Sequence, residues 1–156
     1  KRDGRRIEIE LTEAGMVESS EPVRSALALL RALGVEIAMD DFGTGYSSLV
    51  HIRDFEVDRI KIDQSFVSGS YTDSNSAAVV RAITTMANSM GLATTGEGVE
   101  SEEQLAMLIE YGCGTAQGYL LSRPLQVSAA TALIETERVE SRPVETFGAA
   151  PRLDRP

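Results

Sequence analysis

Short apolar runs with a two-residue period alternate along the chain with longer stretches of helical period. Ile7-Glu8-Ile9-Glu10 alternates apolar and polar positions as a strand does. Pro22 then opens a helix with the stripe Val23, Leu27, Leu30 and Leu33, closed by Gly34. Val35 to Asp40 reads as a second strand, followed by a short helix near residues 47–53. Val57 to Asp63 reads as a third, with Ile60 and Ile62 on one face. Ser74 or Asn75 is expected to cap a long helix carrying Val79, Ile83, Met86 and Met90, which Gly91 ends. Leu92 to Glu97 is the fourth strand, and Ser101 with Gln104 makes a capping box for a helix through Tyr111, stopped by Gly112. Thr115 to Leu121 reads as the fifth strand, and Ser128 as the cap of a last helix near residues 129–138. From about Glu140 onward three prolines and scattered charge replace any apolar period. The expected organisation is a domain over residues 1–138 and a disordered tail or linker over 139–156.

Strand–helix alternation implies parallel strands joined by helical crossovers. Chemically loaded residues close the strands: Glu10, Asp40 with Asp41, Asp63 and Glu97. In a (β/α)8 barrel that end carries the active site. A doubly wound open sheet concentrates ligand contacts at one switch point, whereas here every strand end is loaded. The expected fold is therefore α/β, a TIM-like (β/α)8 barrel of which about five C-terminal strand–helix units are present. Such barrels typically need about 250 residues, and this chain has 156. It also begins with Lys1 rather than Met, so it is expected to be a piece of something longer or a processed product.

The net charge of −9 makes a nucleic-acid polymer an improbable partner. A small anionic ligand stays compatible if metal ions reverse the local field. One cysteine, Cys113, excludes an intrachain disulfide and a cysteine-rich zinc site, and reads best as a small packed side chain. No apolar stretch approaches the roughly 18–20 residues that span a bilayer, so a cytoplasmic domain is expected, whose parent could be anchored through an upstream segment. The lone His51 argues against a histidine-rich site and reads best as an exposed helix residue.

Asp40-Asp41-Phe42-Gly43-Thr44-Gly45-Tyr46-Ser47-Ser48 is the most informative segment. Adjacent carboxylates repel unless something neutralises them, and a divalent cation does so best. Taken alone, the pair would more often be a solvated turn. Strict alternation would also send Asp40 and Asp41 to opposite faces, so the strand is expected to end there, with the glycines turning the backbone.

Together with Glu10-Leu11-Thr12-Glu13, Lys61-Ile62-Asp63, Glu97-Gly98-Val99-Glu100, Gln117-Gly118-Tyr119 and Ser122-Arg123-Pro124-Leu125, this segment resembles the C-terminal part of an EAL domain, the bacterial phosphodiesterase family that opens cyclic di-GMP. The resemblance covers roughly residues 6 to 135. Each motif is weak alone; five in order at five strand ends are specific. The Glu-Ala-Leu signature is absent from the chain, as is the family's following segment with a metal-binding Asn. Gly96 and Gly114 stand where Ala and Asp are usual.

The resemblance implies a two-metal Mg2+ or Mn2+ site. Glu10 and Asp40 would bind the first ion, and Asp40 with Asp41 the second. Such ions, about 3.5–4 Å apart, activate water and clamp a phosphate, and hard cations favour oxygen ligands. Lys61 would orient the nucleophilic water and offset phosphate charge. Glu97 would be the general base or a holder of water. Asp63, two residues beyond Lys61, would support Lys61 or a water. Glu13 would anchor the loop from Phe42 to Ser48, a loop that couples dimerisation to metal binding in the family. Glu100 would support the site from behind, although a carboxylate favoured at a helix N-terminus explains it nearly as well. Gln117 and Tyr119 would touch the guanine or ribose side of the ligand, with packing an equal explanation for Tyr119.

The implied activity is hydrolysis of cyclic di-GMP to linear pGpG by a complete domain, the fragment alone being inactive. A homodimer and upstream sensor or GGDEF domains are the implied partners. The alternative is a catalytically inactive EAL domain serving as a cyclic di-GMP receptor or protein-interaction module; such domains usually lose the Asp pair, the Lys or loop residues, and none is lost here. Another carboxylate–metal barrel hydrolase is a distant third. Five strands of a barrel would expose two edges and an apolar flank, so the isolated chain is expected to be poorly soluble, oligomeric or partly unfolded.

Overall fold

The computed structural model describes residues 7–12, 15, 21–44, 49–69 and 73–140. Glu13 and residues 45–48 of the loop lie outside the described residues. The chain divides into two compact units, Lys1–Leu121 and Ser122–Pro156.

The first unit is a parallel sheet of β1 (Glu8–Thr12), β2 (Glu36–Phe42), β3 (Arg59–Ile62), β4 (Ala93–Gly96) and β5 (Thr115–Ala116). Spatial order follows chain order, β1-β2-β3-β4-β5. A doubly wound sheet would reverse direction at a switch point. A sequential parallel order is the arrangement of a barrel wall. Between the strands run α1 (Glu21–Ala32), α2 (Leu49–Asp54), α3 (Gln64–Gly69), α4 (Ser74–Ser89) and α5 (Glu102–Glu110).

Alternation divides the sheet into two faces. Ile37, Met39, Ile60 and Ile62 point to the helices and pack with Leu27, Val67, Val80, Ile83, Ala87 and Leu108. Each such side chain contributes about 1.5–3 kcal/mol when fully withdrawn from water. Glu8, Glu10, Ala38, Asp40, Arg59, Lys61 and Thr95 fall on the other face, so the helix-facing layer carries the core and the opposite face is left for polar chemistry.

Several elements differ from the sequence expectation. Asp73, not Ser74 or Asn75, caps α4, accepting from the backbone N–H groups of Asn75 and Ser76. The short helix α3 had no apolar period to announce it, but Asp63 caps it by accepting from Ser65 N at 2.9 Å. The strand expected to run from Thr115 to Leu121 is only Thr115–Ala116. Beyond it the backbone at Gly118 passes so close to β4's continuation that a Cβ there would sit 2.1 Å from the Val99 carbonyl oxygen. In α1 only Leu27 of the expected stripe is buried, and Leu33 is exposed. The capping box of Ser101 and Gln104 is present as expected.

The second unit contains α6 (Val127–Glu140), which starts before Ser128 and runs two residues beyond the expected domain end at 138. Residues 141–156 of the expected tail lie outside the described residues. Among the described residues no helix is long and apolar enough to cross a membrane.

Candidate metal centre and catalytic site

Lys61 sits on β3 with helix-facing neighbours Ile60 and Ile62, and is itself only 5% exposed. A buried ammonium needs partners, and it has three. Its Nζ lies 2.7 Å from Glu10 Oε1 on β1, 3.1 Å from Asp40 Oδ1 on β2 and 2.7 Å from Glu97 Oε1 just after β4. One cation thus gathers carboxylates from three strands. Burial would lower the lysine's pKa, but the carboxylates of Glu10, Glu97 and Asp40 override it and hold the ammonium above its ordinary value.

Asp40 and Asp41 reach the site without the strand ending between them. β2 continues to Phe42, and its pairing with β3 shifts between Met39 and Phe42, where three steps on β2 face two on β3. That is a bulge, with one extra residue in β2. Asp41 absorbs it in the left-handed region, at φ 53°, a conformation that is uncommon for a side chain other than glycine and that clusters at functional sites. The expected strand end is therefore corrected to a bulge. Its backbone is pinned by Thr44, whose N–H and hydroxyl both donate to the Asp41 carbonyl, at 3.3 and 2.9 Å.

The bulge brings Asp40, Asp41 and Glu97 together, with one carboxylate oxygen of each within 4.8 Å of the others. Asp40 Oδ1 is buried and accepts no hydrogen bond of good geometry, despite its 3.1 Å approach to Lys61. The ion pair with Lys61 offsets only part of the cost of burying that oxygen. Beside two further carboxylates it is the donor set that a hard divalent cation fits. The crowding raises two pKa values. Asp41 is raised by burial, then by repulsion from Asp40 and Asp63, with Lys61 opposing. Glu97 is raised by burial, opposed by Lys61 and reinforced by Asp40 and Glu10.

The remaining expected residues are placed as follows. Glu10 faces Lys61 with its side chain 47% exposed, and is not part of the Asp40–Asp41–Glu97 group. Asp63 lies one residue past β3; it caps α3 and adjoins Asp41 rather than pairing with Lys61. Gln117 is exposed and is held by its backbone, its N–H donating to Gly96 O at 2.9 Å and its carbonyl accepting from Val99 N at 3.0 Å. Tyr119 is also exposed, as is Glu100, whose N–H donates to Gln104 Oε1 at 2.7 Å. Gly96 lets Leu108 pack over β4: a Cβ there would meet Leu108 Cδ1 at 2.5 Å. Gly114 keeps its N–H on Thr94 Oγ1 at 3.1 Å. Sequence reasoning missed Arg59, which crosses the same face one layer below Lys61; an arginine two residues before a site lysine on one strand was the available signal.

Comparison with known proteins gives the same assignment. The family profile described as EAL domain matches residues 2–124. The cyclic di-GMP phosphodiesterase RocR of Pseudomonas aeruginosa is 43% identical over 116 residues, covering 74% of this chain and 30% of RocR. The EAL domain of Mycobacterium smegmatis DcpA superposes with a TM-score of 0.76 at 40% identity, covering 83% of this chain and 58% of that one. Klebsiella pneumoniae BlrP1, solved as a manganese and cyclic di-GMP complex, matches with a TM-score of 0.69 at 34% identity, covering 75% of this chain and 30% of that one. The chain spans 30% or less of the length of the curated relatives it matches. With a sequential parallel wall, five motifs at its strand ends and this match along most of its length, the chain belongs to the EAL domain family.

Proposed function

We propose that this chain supplies the C-terminal half of a metal-dependent phosphodiesterase that hydrolyses cyclic di-GMP to linear pGpG. The observation that carries the reading is the bulge at Asp41, which brings Asp40 and Asp41 to Glu97 around a buried Asp40 carboxylate oxygen. RocR bears the name cyclic di-GMP phosphodiesterase, and BlrP1 was solved with manganese and cyclic di-GMP. Both support extending the chemistry to these residues.

In this reading Asp40, Asp41 and Glu97 hold Mg2+ or Mn2+ ions, with Glu10 completing the set. When bound, such ions activate water and neutralise the phosphoryl oxygens. Lys61 keeps Glu10, Asp40 and Glu97 in register and presents its positive charge to the phosphate. Glu97, raised by burial, is the carboxylate suited to take the proton of the attacking water. Asp63 fixes the backbone after Lys61 and steers Asp41 by repulsion. Gln117 and Tyr119 are exposed and available to the base or ribose, with Glu13 and Glu100 as supporting residues. The family's Glu-Ala-Leu segment is not among these residues, so turnover needs groups from outside them. A cytoplasmic setting, a homodimer and upstream sensor or GGDEF domains belong to the same proposal.

The test is pGpG formation by a protein carrying the whole domain, with Mg2+ or Mn2+ and with a chelator control. Chelator-sensitive product is expected, and Asp41→Ala should abolish it. Near-normal hydrolysis by Asp41→Ala at saturating Mg2+ would refute the ligand assignment.

A further inference from the structure

Beneath the Lys61 cluster lies a second polar layer on the same face of the sheet. Arg59 is its centre, two residues before Lys61 on β3. Its Nε donates to Glu8 Oε2 at 2.7 Å, and its Nη1 donates to Thr95 Oγ1 and to Thr115 Oγ1, each at 3.2 Å. Nη2 approaches Glu36 Oε2 at 4.0 Å. The proton count closes. Nη1 has two hydrogens for its two hydroxyl acceptors. Thr115 Oγ1 donates to Thr94 O at 2.9 Å, leaving the Thr95 hydroxyl to donate to Thr115 Oγ1 at 2.7 Å.

Arg59 and each of its three hydrogen-bond partners stand two residues before a residue of the site. Glu8 precedes Glu10, Arg59 precedes Lys61, Thr95 precedes Glu97 and Thr115 precedes Gln117. Strand geometry places residues i and i+2 on one face about 6–7 Å apart, so fixing the lower layer fixes the upper. Glu36, on β2, stands four residues before Asp40 on the same face. The planar guanidinium spans four strands with directional bonds, which a lysine ammonium on a flexible stem does not reproduce. The layer is half-buried: the Arg59 side chain is 21% exposed and Thr95 is buried, while Thr115 is exposed.

We infer that Arg59 is a positioning residue, a brace that sets the spacing of Glu10, Lys61, Glu97 and Gln117 by tying β1, β3, β4 and β5 together one layer below the metal centre. The inference rests on the metal-centre reading above. Arg59 touches neither metal nor substrate; it acts through the strands. Partners of this outer kind typically change metal affinity or activity by about 10–100-fold when removed.

The test compares wild type with Arg59→Met and Arg59→Lys in a protein carrying the whole domain. Three readouts are taken: Mn2+ affinity by calorimetry, kcat and KM for cyclic di-GMP at saturating Mn2+, and the cooperativity of thermal unfolding in EDTA. For Arg59→Met a roughly tenfold or larger weakening of Mn2+ binding is expected, with a kcat loss at nearly constant KM and a transition that stays cooperative. Arg59→Lys keeps the charge but loses the fork and should remain impaired; wild-type Mn2+ affinity in it would overturn the brace. Glu8→Met with Arg59→Met removes the ion pair as a unit. Recovery of Mn2+ affinity in that double variant would show that Arg59 only neutralises Glu8 and would also overturn the inference. Should Arg59→Met not fold, Thr115→Val, nearly isosteric, is read instead, and an unchanged kcat there counts against the brace. A wild type that binds Mn2+ without hydrolysing cyclic di-GMP would sink the phosphodiesterase reading alone, while the Mn2+ affinities still decide the role of Arg59.

Discussion

Replacing Lys61 by Met keeps most of the side-chain volume and removes the ammonium that pairs with Glu10, Asp40 and Glu97. Three carboxylates then face one another with Asp41 beside them. Removing one partner of a buried ion pair costs about 3–5 kcal/mol. Glu10 is 47% exposed, so its share is screened by solvent. A loss of about 2–4 kcal/mol is expected in EDTA. With a urea slope of about 2 kcal/mol/M, the unfolding midpoint should fall by roughly 1–2 M. Mn2+ should reverse much of this. At about 100 times its Kd a ligand that binds only the folded state adds about 2.7 kcal/mol. The variant, freed of an ammonium that pairs with Asp40 and Glu97, should gain at least as much from Mn2+ as wild type does. Hydrolysis should not return with stability, because no cation then stands beside the phosphate from β3. The assay is urea unfolding of a protein carrying the whole domain, in EDTA and in Mn2+, alongside pGpG formation. A midpoint within about 0.2 M of wild type in EDTA would refute the electrostatic account of the cluster. So would a smaller Mn2+ response in the variant.

Two further predictions test the scaffold around the site. Gly118→Ala puts a Cβ 2.1 Å from the Val99 carbonyl oxygen and 2.2 Å from its nitrogen, backbone atoms that cannot swing away. A destabilisation of about 1–3 kcal/mol is expected, with a loss of kcat because Gln117 and Glu97 flank the contact; an unchanged thermal midpoint would show that the approach is looser. Asp73 has its carboxyl held below the usual range, first by the N–H of Asn75 and then by the hydroxyl and N–H of Ser76. A depressed folded-state pKa means its contribution is present at neutral pH and lost as pH falls through that lowered value. Asp73→Asn should therefore flatten the acid limb of a stability–pH curve below about pH 4, and an unchanged limb would show that the cap carries no acid sensitivity.

What could be read in advance depended on how local the cause was. Gly34, Gly91 and Gly112 each stop a helix with positive φ, and Ser101 with Gln104 caps one through bonds spanning three or four residues. Such causes lie inside the segment that displays them. The bulge at Asp41 does not, because it is defined by how β2 meets β3, and a strand read alone shows only two adjacent carboxylates. Asp73, Ser74, Asn75 and Ser76 are all plausible caps, and only the path of the chain into α4 selects Asp73. The fifth strand looked longer than it is because its apolar residues continue past Ala116, where its ladder pairing with β4 ends. At the site, the motif residues were visible as a set, but the division of labour was not. That Lys61 would collect three carboxylates and that Glu97 would join the Asp pair are consequences of strand register. Arg59 was hidden for the opposite reason: an arginine at the start of a strand is ordinary, and its reach across four strands exists only once they are side by side.

The most direct test of the central claim, that Asp40, Asp41 and Glu97 form a metal centre, is anomalous diffraction at the manganese edge from crystals of the whole domain soaked in Mn2+. A peak bonded to the Asp40 carboxylate and to at least one of Asp41 and Glu97 is expected, with Lys61 still paired to Glu10 or Glu97. A crystal whose Asp40 oxygens stay free of manganese at millimolar Mn2+, with the cluster otherwise unchanged, would contradict it.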